Sequence, residues 1–207
     1  MITLYRRNPV AGLAALMGLG AAFLLAGIAL AELPTLPPEL EKLRAALEKY
    51  QDPYVAVRDG YFSTLACIDF PRVSGGAGML HYKVGSMGVH FLNPKLIGPE
   101  VDPMQPPVLL YEPEGGKLHL VGVEWFVPLA TGVKQRPVLF GQPFDGPMEG
   151  HEPVLPSTLN HYDLHAWLWK ANPNGLFSAT NSSVKCQGYE YTVVEKDAPH
   201  IVPDPKP

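Results

Sequence analysis

Basic charge is what this chain is short of. Lys and Arg number 16 in 207 residues against 20 Asp and Glu, charged residues together reach 17%, and no basic run follows Arg6-Arg7. Formal net charge is −4, and two units more negative without the two N-terminal arginines. A nucleic-acid partner needs a basic patch to neutralise phosphates, so none is expected. Local catalytic signatures are missing as well. There is no G-x-S-x-G, no H-E-x-x-H and no G-x-G-x-x-G opening a helix. The glycine cluster Ser74-Gly75-Gly76-Ala77-Gly78 lacks the Lys-Ser/Thr pair of a phosphate loop and reads as a mobile surface loop. Cysteine is limited to Cys67 and Cys186. An even count in an oxidising compartment predicts one disulfide between them, closing a loop of 119 positions.

Turns and apolar residues are plentiful instead. With 20 Gly, 23 Pro, 46% hydrophobic and 10% aromatic residues, the chain suits one loop-rich domain. The expected fold class is α+β: one or two short amphipathic helices packed on a mainly antiparallel β-sheet, preceded by an N-terminal signal or anchor helix. Residues 1–31 read as that export element. Arg6-Arg7 precede an uncharged stretch from Asn8 to Ala31, which ends in the cleavage pattern Ala29-Leu30-Ala31. The stretch is long enough to span a bilayer, so a cleaved leader and a retained membrane anchor through residues 8–31 are both open. Gly18, Ala22 and Ala26 form a small-residue stripe of the kind that packs membrane helices. The rest of the chain is expected outside the cytoplasm, periplasmic or secreted, either free or tethered.

Residues 32–38 read as a proline-rich linker, 39–196 as a single globular domain and 197–207 as a flexible tail. Leu40, Leu43, Leu47 and Tyr50 share one face of a helix ending at Gln51, and a second short helix runs from Pro53 to a Gly60 stop. Strands are expected at Gly88–Leu92, Val108–Glu112 and Lys117–Val127, the last two joined by the turn Pro113-Glu114-Gly115-Gly116. Shorter strand signals lie at Pro137–Phe140 and Tyr189–Val194.

The polar residues that interrupt these apolar rows are the candidates for chemistry. In Lys117–Val127, strict alternation puts Leu118, Leu120, Gly122, Glu124 and Phe126 on one face. A carboxylate in such a row must find a cation, a metal or strong donors, or take up a proton. His90 faces away from Val89 and Phe91 in its strand. Asn160–Lys170 holds two of the seven histidines and two of the three tryptophans. As a strand it presents His161, Asp163, His165, Trp167 and Trp169 on one face; as a helix it makes His161 and His165 neighbours. Aromatic content and the Asn172-Pro173-Asn174-Gly175 stop favour the strand. Residues 128–158 read as a long loop covering a site. His151 and Glu152 within it are expected at the surface.

The segments Met87-Gly88-Val89-His90-Phe91, Leu110-Tyr111-Glu112-Pro113, Val121-Gly122-Val123-Glu124 and Leu164-His165-Ala166-Trp167-Leu168-Trp169-Lys170 resemble a group of small exported bacterial proteins with no assigned activity. The resemblance implies export and paired cysteines, and it brings no catalytic residue with it.

Three functions follow as expectations. One is a metal site formed by His90, Glu124 and His165, with Glu112 or His161 as a fourth ligand, whose imidazole and carboxylate chemistry suits zinc or copper. Another is a non-catalytic, membrane-anchored accessory subunit presenting its outer domain to other protein subunits. The third is an enzyme using Glu124 and a histidine as general acid and base without metal.

Overall fold

The computed structural model describes residues 33–206. The expectations for residues 1–31, a leader or anchor with its stripe and cleavage pattern, lie outside the described residues. Among the described residues no helix is long and apolar enough to cross a membrane.

Helix α1 spans Pro38–Leu47, with proline in its first turn and Glu39 and Glu41 at the positive end of its dipole. A 3-10 turn, Glu48–Gln51, continues it. Helix α2, Pro53–Arg58, starts where the Asp52 carboxylate accepts the Tyr54 N–H at 3.0 Å. The spacing of α1 buries Leu40, Leu43, Leu47 and Tyr50 together with Leu36.

These helices lie on one face of a seven-stranded sheet. Its strands are β1 (Phe62–Phe70), β2 (Gly85–Leu92), β3 (Val108–Glu114), β4 (Lys117–Pro128), β7 (Asp145–Met148), β8 (His161–Ala166) and β9 (Thr192–Val194). Two short strands, β5 (Val138–Leu139) and β6 (Gln142–Pro143), pair apart from it. The sheet order is β7-β8-β4-β3-β2-β1-β9, antiparallel throughout except for β1 with β9. Under the helices the main core joins Val89, Phe91, Leu109, Tyr111, Val123, Trp125, Tyr162 and Leu164 to the α1 leucines. The Tyr111 hydroxyl donates to the Tyr50 carbonyl at 2.7 Å, tying the centre of the sheet to the helical layer.

The sheet curls so that its two ends approach each other on the opposite face. The Tyr82 hydroxyl, from the β1–β2 connection, donates to the Met148 sulfur of β7 at 3.5 Å. Isolated bridges join Met79 to His200 and Met148 to Ile201. The segment after β9 therefore seals the curl. Ala198 is buried and its N–H donates to the Ser74 hydroxyl, while Asp204 accepts from Tyr162 at 2.7 Å. The segment expected as a flexible tail at 197–207 thus makes backbone and side-chain hydrogen bonds as far as Asp204.

Three further departures have local causes. Strand β1 is absent from the expectations because an irregularity between Ser63 and Cys67, with Leu65 at φ 66°, breaks its alternation. In β4, Leu110 pairs with Gly122 but Tyr111 pairs with Leu120, which leaves Val121 as a bulged residue. Leu120 consequently joins Val123 and Trp125 in the helix-side core, and Val121 joins Phe126 on the other side. The supposed mobile glycine loop is bound through Ser74 and Tyr82, whose backbones exchange hydrogen bonds.

The disulfide joins Cys67 of β1 to Cys186, with Cα atoms 5.7 Å apart. By loop-closure entropy a bridge of this span contributes about 4–5 kcal/mol.

Candidate metal centre

Strand periodicity aims the polar side chains. Val89 and Phe91 of β2 enter the helix-side core, so His90 between them faces the inside of the curl. Gly88 permits this path. Its φ is +84°, and a Cβ there would lie 2.5 Å from the Tyr111 carbonyl oxygen, so β2 could not run this close to β3 with a side chain. Glu124 follows the β4 bulge on the same inner face, and its register partner on β8 is His165. His161 and Asp163 precede His165 on that face at two-residue spacing. As expected for a strand, Asn160–Lys170 displays the histidines together, but β8 ends at Ala166. The turn beyond it returns Trp169 to the helices, where its indole donates to Glu48 at 2.8 Å.

The curl brings His90, Glu124 and His165 together. Glu124 Oε2 lies 3.4 Å from His90 Nε2 and 3.8 Å from His165 Nε2. One ligand atom from each residue falls within 4.8 Å of the other two, so the trio is capable of holding a metal ion. A tetrahedral zinc with ~2.0–2.2 Å bonds sets its ligands ~3.3–3.6 Å apart. The Glu124–His90 edge already has that length, the Glu124–His165 edge is a few tenths of an ångström longer, and the His90–His165 edge, within 4.8 Å, closes with an adjustment of up to about 1.5 Å. Glu124 is 5% and His165 2% exposed, which makes their lack of partners costly. Glu124 Oε2 and both His165 nitrogens are buried with no hydrogen bond, as are His90 Nδ1 and Asp163 Oδ1.

Electrostatics point the same way. Burial, and then the neighbouring Asp163, push the Glu124 carboxyl well above its ordinary range. Burial pulls His90 down to about 3, with His165 and His151 adding repulsion, and burial also lowers His165. Burial alone would raise Asp163, but the surrounding His161, His165 and His151 outweigh it and hold the carboxyl below its usual value. The His161 Nε2 to Asp163 Oδ2 distance is 3.8 Å, longer than a hydrogen bond. Among the described residues, no Lys or Arg lines the cavity around these groups. Burial thus disfavours the charged forms of Glu124, His90, His165 and His151 alike, with no cationic Lys or Arg among the described lining residues to offset it.

Asp163 and His161 form a shell behind the trio. Asp163 Oδ1 stands 3.9 Å from His165 Nδ1. A proton on Nδ1 facing this carboxylate leaves Nε2 bare toward His90 and Glu124, the tautomer a metal requires. His161 Nδ1 lies 3.0 Å from the Leu159 carbonyl, which turns its Nε2 toward Asp163.

The remaining expected ligands divide. His161 lines the same cavity but lies outside the trio. Glu112 is elsewhere, which corrects its place as a fourth ligand. It sits four residues along β3 from Val108, the register partner of Glu124, about 13 Å at strand rise. There it pairs with Lys170 Nζ and accepts the Lys185 N–H at 2.9 Å. Three groups were not anticipated: Asp163, Thr64 and His151. Asp163 was legible by alternation from His161 and His165. His151 corrects the expectation of a surface residue: its ring stacks on Tyr82 at 6.4 Å and lines the cavity. Burial pulls it down to about 4. Its loop has no periodicity that would have revealed this. Glu152, by contrast, is exposed.

No protein-family match, no curated protein and no solved structure corresponds to this chain, so the functional reading rests on the site itself.

Proposed function

We propose that this protein is an exported domain that binds one transition-metal ion, zinc or copper, through His90, Glu124 and His165. The observation that carries the reading is Glu124 itself. It is a buried carboxylate with an unpartnered oxygen between two imidazoles, in a cavity without Lys or Arg. A divalent cation would replace the lost hydration of that oxygen and of His165 Nε2, and would offset the charges of Glu124 and Asp163. Two imidazoles and one carboxylate suit zinc, and imidazoles suit copper; three protein ligands leave a coordination position for water or another small molecule. Export is supported by the uncharged stretch after Arg6-Arg7 and agrees with the Cys67–Cys186 bridge.

Metal analysis of the purified protein, followed by zinc and copper titration of the stripped protein, tests the reading. One ion per chain is expected, with binding lost in His90→Ala and His165→Ala. Failure of both ions to bind wild type, or binding unchanged in both variants, refutes it. Intact mass of the exported product tests the leader: a mature N-terminus at Glu32 means cleavage, and the full mass means a retained anchor.

A further inference from the structure

The cavity beside the metal-binding trio has walls of a different chemistry. Apart from the histidines and carboxylates, it is lined mainly by Ile68, Leu92, Val108, Phe126, Val154 and Leu155. Val154 and Leu155 belong to the connection between β7 and β8, held over the site where Leu155 N–H donates to the His151 carbonyl at 2.7 Å. The cavity volume is about 50 Å³. One water takes up ~10–15 Å³ of space, so the cavity suits a ligand on the order of a few non-hydrogen atoms.

Charge narrows the occupant further. With a divalent ion bound, Glu124 and Asp163 together balance it, and no Lys or Arg lines the cavity to receive an anion. A phosphate or carboxylate ligand would meet only a cation already balanced by those two carboxylates, and would lose its hydration to an aliphatic wall. One polar group remains unused: Thr64 lines the cavity and its hydroxyl is buried without a hydrogen-bond partner. It stands on the irregular part of β1, which pairs with the His90 strand β2, and the curl brings it round to face β8.

We propose that the open coordination position takes a small neutral molecule of a few non-hydrogen atoms, mostly apolar, with one polar atom held by the Thr64 hydroxyl. The proposal rests on the metal reading above and names the class of ligand for that site. The metal holds one end, the hydroxyl selects a second atom, and the aliphatic wall excludes charge.

Cobalt(II)-loaded full-length protein provides the test, because its visible spectrum reports a new ligand on the ion. The probes are imidazole, neutral and near the upper size limit; azide and acetate, small anions; and benzimidazole, neutral and too large. Imidazole is expected to shift the spectrum at concentrations about tenfold lower than either anion, and benzimidazole to leave it unchanged. Thr64→Val should weaken imidazole binding about three- to tenfold at unchanged cobalt content, and Thr64→Ser should retain it. Azide or acetate binding as tightly as imidazole overturns the proposal, as does a shift with benzimidazole or an unaffected Thr64→Val. Protein that takes up neither cobalt nor zinc nor copper removes the metal reading too, whereas a loaded protein that prefers anions overturns this inference alone.

Discussion

Glu124 on β4 and His165 on β8 are direct register partners, and the atoms they turn toward each other, Oε2 and Nε2, stand 3.8 Å apart with neither hydrogen-bonded. Direct pairing across antiparallel strands fixes the side chains at a separation suited to a shared ion. His90 completes the set from β2, two strands from Glu124 in the sheet. Such a set is poorly suited to stabilising an empty fold, because each buried polar atom would be better replaced by carbon.

Glu124→Gln should therefore separate stability from binding. The substitution removes the ionisable group that burial pushes well above its ordinary range. Zinc affinity should fall at least about a hundredfold, while the metal-free variant melts at or above the wild-type temperature. Calorimetric titration and thermal unfolding read the two effects; a large loss of metal-free stability would place Glu124 in a structural ion pair instead.

Asp163→Asn should weaken metal binding about 10- to 100-fold, as expected when a carboxylate behind a ligating histidine is lost. Nitrogen-15 NMR of the histidine rings supplies a second readout. Wild-type His165 should carry its proton on Nδ1, facing Asp163 at 3.9 Å. A proton on Nε2 in the metal-free wild type would contradict the positioning role.

Asp145 gives the molecule a pH dependence of known sign. Burial first, then Asp163, push its carboxyl up from 3.8 to about 7, against the pull of Arg136. Between about pH 4 and 7 the unfolded chain has released this proton and the folded chain retains it, so the contribution of Asp145 to stability falls as pH rises through that window. Asp145→Asn should match wild type near pH 4 and melt a few degrees higher at about pH 8. Metal-free thermal unfolding across this range checks the prediction, and a variant less stable than wild type at high pH would refute it.

Glu112→Ala should behave in the opposite way to Glu124→Gln. The residue is 4% exposed and carries an ion pair to Lys170 and a bond from the Lys185 amide. Removing it leaves Lys170 without its partner, with an expected cost of about 3 kcal/mol in urea unfolding. Metal affinity should stay unchanged.

The paired variant Cys67→Ser with Cys186→Ser should lose up to about 4–5 kcal/mol, because the bridge closes a loop of 119 positions. Equilibrium unfolding compares it with the oxidised protein. An unchanged midpoint would show that the bridge adds nothing to the contacts already holding β9 beside β1.

Much of the secondary structure was legible in the sequence. The leucine spacing of α1, the turn between β3 and β4, and the alternation in Asn160–Ala166 each arise from a local period that a single segment displays. What escaped lay where the period breaks. Strand β1 loses its alternation near Leu65, and the bulge at Val121 exchanges the faces of β4 on its two sides. Glu112 and Glu124 both read as carboxylates in apolar strands. Their different fates depend on Lys170 and Lys185, which arrive from distant parts of the chain.

By itself the sequence determined the class of the fold, the cysteine pair and the identity of the polar residues that no apolar strand would otherwise contain. Only the tertiary structure decided which of them meet. Convergence of β2, β4 and β8 side chains depends on the curl of the whole sheet, and that curl is held by Tyr82, Met148 and the segment after β9, which belong to none of those strands. Local periodicity states which face a side chain takes, whereas the distance between two faces belongs to the assembled sheet.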